Sequence, residues 1–194
     1  MCVMRLPLIP VVIAGGLLAA CVGQSAIKPA EVLDERTGMT VGALQAPVEF
    51  VESAQNLGVA GGKRISFAYL GPVEWDRSGD ISYALWIHVA PGTDKSVGDI
   101  HANGALTVLL DDGPVVLVPS DAPAAGSGPY QPIASWGQTS YFKINVELLR
   151  RLAASRKLQL DFRAADQSTV EFTPTHDTHV TLTQFLQARG ITAD

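Results

Sequence analysis

Cysteine is nearly absent from this chain: there are two in 194 residues, Cys2 and Cys21, both near the N-terminus. Beyond residue 21 an internal disulfide, a thiolate metal ligand and a cysteine nucleophile are therefore all excluded. Basic clusters are as scarce, with nothing larger than Lys63-Arg64 or Arg150-Arg151 in a chain of formal net charge -5. That removes the electrostatic footprint nucleic-acid binding requires. Long apolar runs are missing too. The one apolar stretch, Leu6 to Leu18, is cut by Pro7, Pro10 and Gly15-Gly16, and it falls short of the roughly 20 residues a membrane-spanning helix needs.

What that stretch does have is order. Arg5 supplies a positive start, Leu6 to Leu18 an apolar middle, and Ala19-Ala20 small residues before Cys21, which is the layout of a cleaved export signal. Met4 followed by Arg5 is a tidier start for such a signal than Met1. Leu18-Ala19-Ala20-Cys21 resembles the lipobox of bacterial lipoproteins, whose type II signal peptides end in an apolar residue, two small residues and an obligatory cysteine. The resemblance implies that Cys21 carries a thioether-linked diacylglycerol, that the peptide is cut just before it, and that the new amine is acylated. Two or three acyl chains hold a protein firmly on a membrane where one does not. Val22 stands where retention in the inner membrane of many Gram-negative bacteria calls for Asp, so the resemblance points to the outer membrane, facing the periplasm.

On this reading residues 1–20 are a signal peptide, 21–38 a lipidated tether and 39–194 a single globular domain. Losing Arg5 with the signal takes the formal charge from -5 to -6. Val22 to about Arg36 carries few large apolar side chains and includes Pro29, which suits an extended tether. A second irregular stretch, Asp121 to Gly137, is dense in Pro and Gly and disfavours both ladder and helix. A loop of this length inside a domain is functional or mobile.

The rest predicts strands. Ile81, Tyr83, Leu85, Ile87 and Val89 alternate with Ser82, Ala84, Trp86 and His88, the pattern of a strand with one buried face. Leu158 to Arg163 and Thr169 to Thr173 alternate across the polar turn 164–168 and predict a hairpin. Leu106 to Leu110 and Val115 to Val118 flank Asp112-Gly113, a turn dipeptide, and their nearly continuous apolarity predicts central strands covered on both faces. Further strands are expected at Thr40 to Leu44, Val48 to Glu52, Arg64 to Leu70 and Ser140 to Ile144. One helix is expected over 146–155, capped by Asn145 and carrying a Glu147 to Arg151 pair, and a second over 182–189, opened by a Thr181/Gln184 capping box and ended by Gly190. The expected fold is mainly β: an antiparallel sandwich or a curled, barrel-like sheet with two short helices.

Catalytic chemistry is hard to assemble from these residues. His176, Asp177 and His179 are the one local cluster resembling metal ligands, but in an extended Thr-rich stretch after Pro174 they point apart, and no metal or cofactor is expected. Glu74, Asp76 and Asp80 around Asp76-Arg77-Ser78-Gly79 read as a solvated turn, lacking EF-hand spacing. Asp111-Asp112 reads as turn chemistry. Ser25-Ala26-Ile27-Lys28 matches the S-x-x-K pattern of penicillin-binding enzymes without its S-D-N or K-T-G partners, and Gly61-Gly62-Lys63 is too short for a phosphate loop. The aromatics are open to two readings. Trp86, on the face opposite the apolar row and beside His88, either meets solvent or packs under the long loop, and with Trp136 it forms the candidate binding surface, Trp86, His88 and Trp136. Trp75, Tyr130 and Trp136 are expected in turns or loops.

The leading expectation is a non-enzymatic, membrane-anchored envelope lipoprotein that binds or helps assemble another protein. A carrier or sensor of a small apolar ligand is the alternative, marked by a large apolar cavity. A metal-dependent hydrolase would require His176 or His179 to converge with Glu74 or Asp177.

Overall fold

A break in one long strand organises the molecule. The computed structural model describes residues 27–53, 65–92, 95, 96, 98, 104–121 and 128–192. Cys21 with its lipobox, the tether up to residue 26, Ser25 and Gly61-Gly62-Lys63 lie outside that set. Residues 39–52 run antiparallel to strand β4 (Phe67–Arg77) in two registers: as β2 (Met39–Leu44), with Thr40 opposite Asp76, and as β3 (Val48–Glu52), with Val48 opposite Leu70. The registers differ by two residues, so the chain bulges at Gln45-Ala46-Pro47. A bulge bends its strand and re-aims the residues beyond it.

The bend sends the two halves to different neighbours. β2 pairs outward with β1 (Pro29–Asp34), whereas β3 pairs with β10 (Thr169–Pro174), which leads on through β9 (Gln159–Arg163) and β6 (Leu106–Leu110) to β7 (Gly113–Leu117). On its other side β4 pairs along its whole length with β5 (Asp80–Ala90), and β5 pairs with β8 (Gln138–Ile144). The ten strands form one antiparallel sheet that curls without closing. Of its three edge strands, β1, β7 and β8, the last is met by the chain that follows β7 at an isolated bridge, Ser120 opposite Tyr141. There the Ser120 hydroxyl accepts from the Lys143 amide at 3.0 Å and donates to the Tyr141 carbonyl at 3.2 Å.

Register places Phe50, Leu70, Leu85, Ile87, Phe142, Leu160, Phe162 and Phe172 on one face of the curl, and all are buried. Helices α1 (Val146–Ala154) and α2 (Thr178–Ala188) add Leu149, Leu152, Leu182, Phe185 and Leu186 to the same cluster. The expected hairpins, the Asn145 cap (its side-chain carbonyl oxygen accepts from the Leu148 amide at 2.8 Å) and α1 itself stand.

Several expectations are corrected. Strand order begins at Pro29, inside the stretch read as tether, because β2 offers residues 29–34 a full antiparallel ladder. β7 is an edge strand and not a central one: its partner side is taken by β6 alone, and Val116 is 67% exposed. Pro114 removes a ladder donor from this edge, which suits an edge strand. β4 does not stop at Leu70 but runs on through Gly71-Pro72 to Arg77, which puts Trp75 in the sheet and buries it. α2 starts at Thr178, capped by the Asp177 carboxylate accepting from the His179 amide, so the Thr181/Gln184 pair lies within the helix. Arg151 turns away from Glu147 to hold Asp112 through two hydrogen bonds of 2.6 and 2.9 Å, and Glu147 meets Arg150 instead.

Candidate functional site

The outer face of the β4–β5–β8 region carries the aromatic side chains singled out in the sequence. β5 is buried on every residue from Ala84 to Ala90, on both faces. Trp86 and His88 are therefore not a surface: segment 128–137 lies over them, the second of the two arrangements open to Trp86. Their rings stack at 5.7 Å and 18°, and the Tyr130 ring tilts onto Trp86 at 5.1 Å.

Three polar contacts hold this segment to the sheet. The first is Tyr130. Extending the β2–β4 register would set Leu44 opposite Pro72, and there the phenol oxygen stands in for a ladder bond, accepting from the Leu44 amide at 2.8 Å and donating to the Pro72 carbonyl at 3.1 Å. Burial pushes its ionisation well above the ordinary tyrosine value. The second is His88, whose Nε2 accepts from the Ala134 amide at 3.3 Å. Nδ1 must then carry the proton and donate to the Thr139 hydroxyl at 2.9 Å. Burial holds the His88 pKa below the usual histidine value. The third is Trp136, whose indole N–H donates to the Pro91 carbonyl at 3.1 Å.

Two glycines let the backbone and ring approach. A Cβ on Gly71 would come within 2.2 Å of the Tyr130 ring, and one on Gly137 within 2.5 Å of His88 Nε2. Glycine inside a strand often marks such an approach, so the Gly71-Pro72 step in β4 is the sequence feature that could have pointed to a covering ring such as Tyr130. With its N–H satisfied, Trp136 is still 62% exposed, and Ile133, three residues before it, is 53% exposed. Of the three residues named as a candidate binding surface, only Trp136 is exposed, and Trp86 and His88 lie buried under segment 128–137.

The remaining candidates are placed apart from this face. Asp177 is the α2 cap, His179 Nδ1 donates to the Ala153 carbonyl, and His176 is exposed; the three line an open depression with Arg156 and Thr178. Among the described residues no group of three or more His, Cys, Asp or Glu side chains could hold a metal ion. Glu74 is drawn to Arg189, 3.5 Å away, and not to the turn, where Asp76 caps the Gly79 amide. No family model, characterised protein sequence or solved structure matches this chain.

Proposed function

We propose that this chain is a lipid-anchored protein of the bacterial outer membrane, facing the periplasm, that works by binding a protein partner and not by turnover, with Ile133 and Trp136 at the centre of the contact. One observation carries this reading: a segment without regular structure is pinned at three points, yet it holds a large aromatic ring out of the core. Folding gains nothing from that exposure, whereas rigid exposed aromatics are what binding hot spots are made of. Support for the anchor is the lipobox sequence. The alternative, a carrier of apolar cargo, is not favoured, because Phe50, Phe142, Phe162, Phe172 and Phe185 are fully buried in one cluster along the inside of the curl.

Two experiments test the halves of the proposal separately. Mass spectrometry of the processed N-terminus should find Cys21 acylated, and an unmodified chain continuing upstream of it would sink the anchor. A photo-cross-linking residue at position 133, compared with one in the exposed turn at position 167, should capture one defined envelope protein from 133 alone. Equal capture at both positions, or none, would remove the binding face.

A further inference from the structure

A cleft independent of the lipid anchor and of Trp136 opens beside the bridge between Ser120 and Tyr141. Trp75, Ser82, Tyr83 and Ala84 form its floor and wall, and Asp121 and Lys143 stand with Ser120 at its rim. Its volume is about 180 Å³, somewhat larger than an engineered cavity of about 150 Å³ that takes up benzene. A ligand of about six to ten heavy atoms fits that space.

The charged groups of this cleft are unspent. Neither the Lys143 ammonium nor the Asp121 carboxylate has a partner among the described residues, although they share one cleft. Trp75 is 3% exposed and its indole nitrogen is sealed from solvent, so what it gives the cleft is apolar wall, beside Ala84 and below the two charges.

We propose that this cleft binds a small free α-amino acid as its zwitterion. The ligand carboxylate lies toward Lys143, the ammonium toward Asp121, and a short side chain rests against Trp75 and Ala84. A cation and an anion facing one cleft without pairing complement a ligand that carries both charges. The volume restricts its side chain to a small apolar one.

Titration calorimetry on the full chain in detergent micelles, with L-alanine and L-valine as probes, should give saturable one-to-one binding. Propionate and L-alaninamide, each lacking one charge, should bind at least about tenfold more weakly. Lys143→Met and Asp121→Asn should each weaken L-alanine by about tenfold or more. Both residues are exposed, so these variants should fold as the parent does. No saturable binding up to about 10 mM, binding that survives both Lys143→Met and Asp121→Asn, or equal affinity for L-alanine and propionate would each overturn the proposal.

Discussion

The ring of Tyr130 lies on the bare Cα of Gly71, and its hydroxyl bridges the Leu44 amide and the Pro72 carbonyl. A residue from an irregular segment thus completes the sheet where two strands part. Gly71→Ala should force the ring off its seat and destabilise the domain by about 1–3 kcal/mol, the usual cost of overpacking. Tyr130→Phe should cost a similar amount by stranding the buried Leu44 donor. Denaturant unfolding of the two single variants and the double variant checks this. The double should cost clearly less than the sum, because the first change already removes what the second disrupts.

How far the sequence could reach is visible at β5. Alternation correctly gave a strand with Leu85, Ile87 and Val89 inward, but periodicity reports only that two faces exist. What covers the second face comes from Tyr130 to Gly137, more than forty residues away, and nothing local announces it. The same limit explains β7: an apolar strand looks central until topology makes it last. Local chemistry was more legible, as with the Asn145 cap and the turn at Asp112-Gly113. At α2 two capping signals competed, and Asp177 took the role from Thr181, leaving Thr178, Thr181 and Leu182 buried on the helix.

Arg189 offers a second close approach that can be tested by reversal. Glu31, Gly42, Glu74 and Tyr83 form a cross-strand row over β1, β2, β4 and β5. The guanidinium at the end of α2 lies on Gly42, 2.7 Å from Glu31 and 3.5 Å from Glu74. Burial, then the Glu74 carboxylate, pushes the Tyr83 phenol up to about 12. Arg189→Met should cost about 3–5 kcal/mol, because Glu74 stays buried without its cation. Gly42→Ala should cost about 1–3 kcal/mol by displacing the guanidinium. In the Arg189→Ala background the same Gly42→Ala change should be near neutral, and an unchanged cost in thermal or urea unfolding would refute the contact as its cause.

Acid should loosen segment 128–137 before it unfolds the sheet. His88 is held neutral by burial, below the ordinary value near 6.5. Its folded pKa is lower than its unfolded one, so the unfolded chain binds more protons, and the stability it contributes is present above about pH 6.5 and lost as pH falls. Protonation also turns Nε2 from acceptor to donor, facing the Ala134 amide. The groups around the ring are Trp86 of β5, Thr139 of β8 and Tyr69 of β4, and burial, with Glu49 nearby, raises the Tyr69 phenol. None of them supplies a carboxylate to stabilise the cation. Hydrogen exchange at Ala134 should therefore quicken between pH 7.5 and 5.5, corrected for intrinsic rates, while the β4–β5 amides stay protected. His88→Gln should be less stable overall and should lose that pH-dependent difference; retaining it would assign the acid response elsewhere.

The three tryptophans should separate cleanly by accessibility. Trp75 and Trp86 are buried at 3% and 1%, whereas Trp136 is not. Acrylamide should quench one emitting population strongly, and Trp136→Phe should remove it while shifting the remaining emission to the blue. That variant gives up the hydrogen bond to the Pro91 carbonyl and little buried area, so its stability should fall by no more than about 1 kcal/mol. The contrast matters for the binding face. If Trp136→Phe unfolds the protein, or leaves the quenching unchanged, the ring is a structural part and not a displayed one. If instead the fold survives and partner capture is lost at position 133, the segment's three pins hold Trp136 in place for recognition by a partner.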